Sequence, residues 1–255
     1  MKSIVNLIAC AICLFPWTGA TAQPVAAPQE AKTFISTRGG TNKIEYLLHL
    51  PTRYQANPDT RWPLMLFLHG AGERGSNVLS VAWNGPPKLV KEGHDLPLVI
   101  VSPQCPANQW WNDAKNALLL GLLDEVEAQY RIDTNRVYLT GLSMGGSGTW
   151  SLGLKHPERF AALVPICGAG DPLVLQKASS KKIDAIKSLG IWVFHGVKDT
   201  TVPIVNSERM VATLKEMGCL DVKFTKYTEA DHDSWTVTYN NPTFYHWLLA
   251  HRRKL

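Results

Sequence analysis

Gly141-Leu142-Ser143-Met144-Gly145 is a G-x-S-x-G motif. In a chain of this composition chance alone yields roughly 0.1 matches, so the weight of the motif comes from its setting. It follows an apolar run, Arg136 to Thr140, and precedes a helical pattern that starts at Met144. Strand, sharp turn and helix in that order lift a serine hydroxyl out of the backbone as a nucleophile. The turn leaves no room for bulk at positions 141 and 145. A serine hydroxyl is a weak nucleophile without a base. Of the eight histidines, His232 lies in the polar stretch Glu229 to Ser234, directly after the last strand pattern and before the last helix. A loop in that place can deliver an imidazole to the sheet edge. His195 ends an apolar strand and reads as a packed histidine. His49, His94, His156, His246 and His251 read as structural or surface residues.

The base in turn needs an orienting acid. Asp199 follows the strand pattern Ile191 to Phe194 in His195-Gly196-Val197-Lys198-Asp199. Asp171, just past Leu163 to Ile166, is the alternative. With Asp199 the order Ser143, Asp199, His232 emerges, which is one of the known chain orders of a serine hydrolase triad. Asp231 and Asp233 flank His232 too closely to turn back onto its ring. The developing oxyanion needs N–H donors. Met144 follows the nucleophile and supplies one, and Ala71 in the glycine-rich stretch His69 to Gly75 supplies the other. That stretch lacks the G-K-[ST] ending of a phosphate cradle. The histidines and cysteines show no zinc spacing. Neither a metal nor an organic cofactor is expected.

These residues need a scaffold that brings distant loops together. Short apolar runs bounded by Pro or Gly read as buried strands: 64–68, 98–101, 136–140, 163–166 and 191–194. Residues 34–36 and 44–50 read as an antiparallel start, and 222–227 alternates as an edge strand does. Helices fall between them at 116–130, 144–156, 206–217 and 244–251. Alternating strands and helices predict an α/β fold, a mostly parallel central sheet with helices on both faces. In such a sheet the chemistry sits in loops at the carboxyl ends of the strands.

The chain has 255 residues, 45% hydrophobic and 18% charged, which suits one domain with a sizeable core. No repeat is visible. The net charge of +5 comes from scattered residues, and the one basic cluster, Arg252-Arg253-Lys254, reads as a solvated helix end rather than a nucleic-acid surface. Lys2, an apolar run from Ile4 to Trp17 and the small residues Ala20-Thr21-Ala22 predict a signal peptide over 1–22, hence export to the periplasm or medium. Leu7-Ile8-Ala9-Cys10 resembles a lipoprotein box but would leave a very short apolar region. Residues 23–30 read as a linker and 31–255 as the catalytic domain. No later run is long enough to span a membrane. Cys105, Cys167 and Cys219 remain after the signal, either as one bridge and a free thiol or as three buried thiols.

The motifs HGAGERG (69–75), GPPKL (85–89), PQCP (103–106) with Trp110 and Trp111, YLTGLSMGG (138–146), HPERF (156–160) and PICGAGD (165–171) occur together. This set resembles exported bacterial carboxylesterases of the α/β-hydrolase fold, the dienelactone-hydrolase and phospholipase/carboxylesterase relatives often labelled as prolyl-oligopeptidase-type peptidases. The resemblance implies Ser143 as nucleophile, Asp199 as acid and His232 as base, and a small-molecule ester as substrate. The resemblance implies that cap domains in this fold are usually inserted between the strands at 163–166 and 191–194. Only about 24 residues lie there, room for a loop and one helix over 172–189, so an open site without a cap is expected. Trp110 and Trp111 are expected to line an acyl or aromatic pocket, with Trp83 and Trp235 as weaker candidates. Relatives of this kind include simple and feruloyl-type esterases. A peptidase acting on short peptides and a non-catalytic binding protein on the same fold are the other classes, and the oligomeric state is left open.

Overall fold

The computed structural model describes residues 28–36 and 42–253. The expected signal peptide and residues 23–27 of the expected linker lie outside the described residues. Eight strands form one sheet in the order β1-β2-β4-β3-β5-β6-β7-β8. They are β1 (Glu30–Ser36), β2 (Asn42–His49), β3 (Trp62–Leu68), β4 (Val99–Pro103), β5 (Ile132–Leu142), β6 (Ala162–Ile166), β7 (Gly190–Gly196) and β8 (Val222–Tyr227). β1 pairs antiparallel with β2, and β2 antiparallel with β4. All other pairs are parallel. β8 is the edge, as its alternation predicts. β1 begins at Glu30, the last residue of the expected linker.

The period of two along each strand divides the core. Leu64, Leu66 and Leu68 of β3 face one layer, with Leu119, Leu122 and Val126 of α2 (Asp113–Gln129), Trp150 and Leu152 of α3 (Met144–Lys155) and Met210 and Leu214 of α6 (Val205–Glu216). Met65 and Phe67 face the other, with Leu89 and Val90 of α1 (Gly85–Lys91), Tyr239 of α7 (Trp235–Tyr239) and Phe244 and Leu248 of α8 (Pro242–Ala250). Strands buried on both faces are what a parallel sheet requires, and they explain the unbroken apolar runs.

Two elements between β6 and β7 differ from expectation. A single helix over 172–189 is replaced by α4 (Leu173–Gln176) and α5 (Ser180–Lys187). Ser179 breaks the run: its backbone is extended and its hydroxyl accepts the Lys182 N–H, which starts a new helix. No cap domain lies there. Cys105, Cys167 and Cys219 are three buried free thiols. Two of the C-terminal cations are held in place, with Arg252 3.1 Å from the Asp133 carboxylate and Arg253 donating to the Glu158 carbonyl.

Candidate active site

Ser143 stands between β5 and α3 with φ 52° and ψ −115°, a left-handed conformation that L side chains avoid. Its N–H donates to the Ile166 carbonyl at 2.9 Å, which ties the turn to β6. The turn sits hard against β3: a Cβ on Gly145 would lie 1.8 Å from the Leu68 carbonyl oxygen. Glycine at 145 is therefore a steric requirement, and it brings the 69–72 backbone beside the nucleophile.

The expected partners converge on this turn. His232 Nε2 is 2.8 Å from Ser143 Oγ, and His232 Nδ1 is 2.8 Å from Asp199 Oδ2. Asp199 follows β7 and its side chain is fully buried, whereas His232 follows β8 and is partly open. Gly196 makes the meeting of these loops possible, since a Cβ there would lie 2.0 Å from the Asp231 carbonyl oxygen. Asp199 Oδ1 accepts the N–H groups of Thr201 (2.9 Å) and Val202 (2.8 Å). Asp171, the alternative acid, is exposed and accepts the Leu173 N–H at the start of α4. Asp233 caps α7 through Thr236, and Asp231 accepts the Asp233 N–H.

Both expected oxyanion donors stand at helix starts. Met144 is the first residue of α3 and Ala71 the first of a 3-10 turn, Ala71–Glu73, so neither N–H has an acceptor within its own helix. The Ala71 loop is pinned by His69, which sequence reasoning left without a role. His69 Nδ1 bonds to the Gly70 carbonyl at 2.6 Å, while its Nε2 accepts the Cys105 N–H at 2.9 Å. The ring is thus the neutral tautomer with the proton on Nδ1, and burial pushes its pKa down to about 4. Trp111 Nε1 donates to the His69 carbonyl at 3.0 Å.

Of the expected pocket tryptophans, Trp111 is buried and joins Trp150, Ser147 and Asp171 in lining a cleft of about 590 Å³. The cleft begins one turn of α3 beyond Ser143. Trp110 is 54% exposed, with the Arg74 guanidinium 5.0 Å from its ring centre. Trp235 comes nearest the triad, edge-on to His232 at 5.4 Å, with its Nε1 donating to Asn84 Oδ1. Asn84 in turn donates to the buried Glu73 carboxylate at 2.5 Å. Trp83, beside Asn84, is 57% exposed.

Among the described residues, one group combines side chains of metal-ligand type: Cys167, Asp199 and His232, one atom of each within 4.8 Å of the others. Asp199 and His232 already bond to each other, and burial pushes the Cys167 thiol up to about 12. Cys167 is also held at φ 40°.

A second histidine, also unassigned from sequence beyond packing, stands behind the acid. His195, wholly buried at the end of β7, places Nε2 3.1 Å from Asp199 Oδ2 and 2.8 Å from the Val202 carbonyl, with Nδ1 2.7 Å from Ser207 Oγ.

A family model described as phospholipase/carboxylesterase matches residues 101–241. The chain is 31% identical over 168 residues to a poly(3-hydroxybutyrate) depolymerase of Ralstonia pickettii, covering 60% of this chain and 34% of that protein. It is 27% identical over 165 residues to a probable feruloyl esterase C of Aspergillus terreus, covering 64% of this chain and 57% of that protein. The chain thus spans between a third and three fifths of the length of these curated relatives. A solved structure of a thermostable esterase superposes with a TM-score of 0.73 at 34% identity, over 89% of this chain and 64% of that one.

Proposed function

This chain belongs to the phospholipase/carboxylesterase family and has the α/β-hydrolase fold, and from that premise we propose that it is a serine hydrolase cleaving carboxylic esters through an acyl-enzyme. The observation that carries the reading is the unbroken chain Ser143 Oγ–His232 Nε2 and His232 Nδ1–Asp199 Oδ2, each link 2.8 Å, with Ser143 on a strained turn. His232 Nε2 takes the Ser143 proton as Oγ bonds to the ester carbonyl carbon. The oxyanion lies toward the N–H groups of Met144 and Ala71. The C–O bond to the alcohol breaks, and the proton on His232 leaves with the alcohol. Water then repeats the sequence: His232 takes its proton, the carboxylic acid departs, and Ser143 recovers its hydrogen. Asp199 fixes the imidazole with Nδ1–H toward itself and stabilises the charged ring.

Short-chain or aromatic acyl esters are the proposed substrates, and the cleft lined by Trp111 and Trp150 beside α3 favours the aromatic class. Hydrolysis of a nitrophenyl-ester panel of increasing acyl length, with a feruloyl ester and chromogenic peptides alongside, tests the reading. Turnover of esters that falls by several orders of magnitude in Ser143→Ala is the expected result. A folded wild type that cleaves peptides and leaves every ester intact overturns it.

A further inference from the structure

We propose that His195 is a positioning residue for this chemistry: it holds the Asp199 carboxylate in register with His232. The assignment rests on the triad reading above. The hydrogen-bond partners place a proton on Nε2. The Val202 carbonyl only accepts, so His195 Nε2 carries a hydrogen. Nδ1 pairs with the Ser207 hydroxyl, which is itself fully buried. The Nε2–H is shared between the Val202 carbonyl and Asp199 Oδ2.

Asp199 therefore receives two backbone donors on Oδ1 and two imidazole donors on Oδ2. Thr201, Val202 and Asp199 itself all belong to the loop after β7, so the backbone donors fix the carboxylate only within that loop. His195 is different. It is anchored in the sheet, between Gly196 of β7 and Ser207 of α6. It is the side chain that ties the acid to the rigid part of the molecule. Without it the loop is free to shift Oδ2 relative to His232 Nδ1, and geometric errors of that kind lower the rate of chemistry rather than the affinity for substrate.

The test is a double-mutant cycle on ester hydrolysis. His195→Phe is expected to lower kcat about 10- to 100-fold, the usual range for a group supporting a functional ligand, with KM within about 2-fold. His195→Gln, whose amide places an N–H near the former Nε2, is expected to restore most of that loss. In an Asp199→Asn background, His195→Phe is expected to cost less than about 2-fold more, because its role runs through the carboxylate. A purely structural role would cost the same in both backgrounds. Ser207→Ala supplies a milder variant should His195→Phe fail to fold, with a smaller loss of kcat that also vanishes beside Asp199→Asn. Equal losses in the two backgrounds, glutamine no better than phenylalanine, or unchanged kcat overturns the assignment. Absence of any Ser143-dependent turnover in the wild type overturns the triad instead, so the two failures are distinguishable.

Discussion

The acid of the proposed triad is where residue chemistry separates two aspartates. Asp199 is buried and bonded to His232, whereas Asp171 is exposed and caps a four-residue helix. Replacing Asp199 with asparagine removes the charge that stabilises the imidazolium and favours the wrong tautomer. A loss in kcat on the order of 10⁴ is expected, with Asp171→Asn near wild type. The reverse pattern in a steady-state assay would move the acid to position 171. The convergence of Ser143, Asp199 and His232 was legible in the sequence because each sits in a local context with its own signature: a glycine-flanked turn, a strand end, a polar loop after the last strand. The partners of His195 and His69 were not. Nothing in either sequence neighbourhood says that a ring nitrogen will meet Ser207 or the Cys105 N–H, since those contacts form only when separate loops approach.

Among the elements, the central strands and the four long helices followed from apolar runs and periodicity, with ends displaced by a few residues. The exceptions have local causes. α1 was not among the expected helices; its two prolines, Pro86 and Pro87, fall in its first turn, where their missing N–H groups have no helical partner to lose. The 69–75 loop carries a consequence for stability. His69 is buried in its neutral form with a pKa of about 4, below the ordinary 6.5. The unfolded chain therefore binds an extra proton between those values, so this site stabilises the fold fully above pH 6.5 and loses that contribution as pH falls toward 4. The contribution is about 3 kcal/mol at most. Melting temperature measured against pH should fall over this window, and His69→Gln should flatten the slope. An unchanged slope in the variant would remove His69 as its origin.

At the scale of the molecule, the segment between β6 and β7 holds only α4 and α5, and among the described residues no inserted domain covers Ser143. For the proposed hydrolase, an uncovered site has no closed form for a lipid surface to open. Hydrolysis rate plotted against the concentration of a sparingly soluble ester should rise smoothly through the solubility limit, and a sharp jump there would contradict the open architecture.

The three chemical groups are also spread along the chain in a telling way. Ser143 follows β5, Asp199 follows β7, and His232 follows β8, the strand that closes the sheet at its outer edge. During synthesis the nucleophile and the acid emerge well before the base. Under the proposed mechanism, a nascent or partly folded chain in which β8 has yet to dock has a serine without a proton acceptor. Turnover by that mechanism requires β8 to be paired with β7, so the return of turnover after denaturant is diluted away reports that pairing.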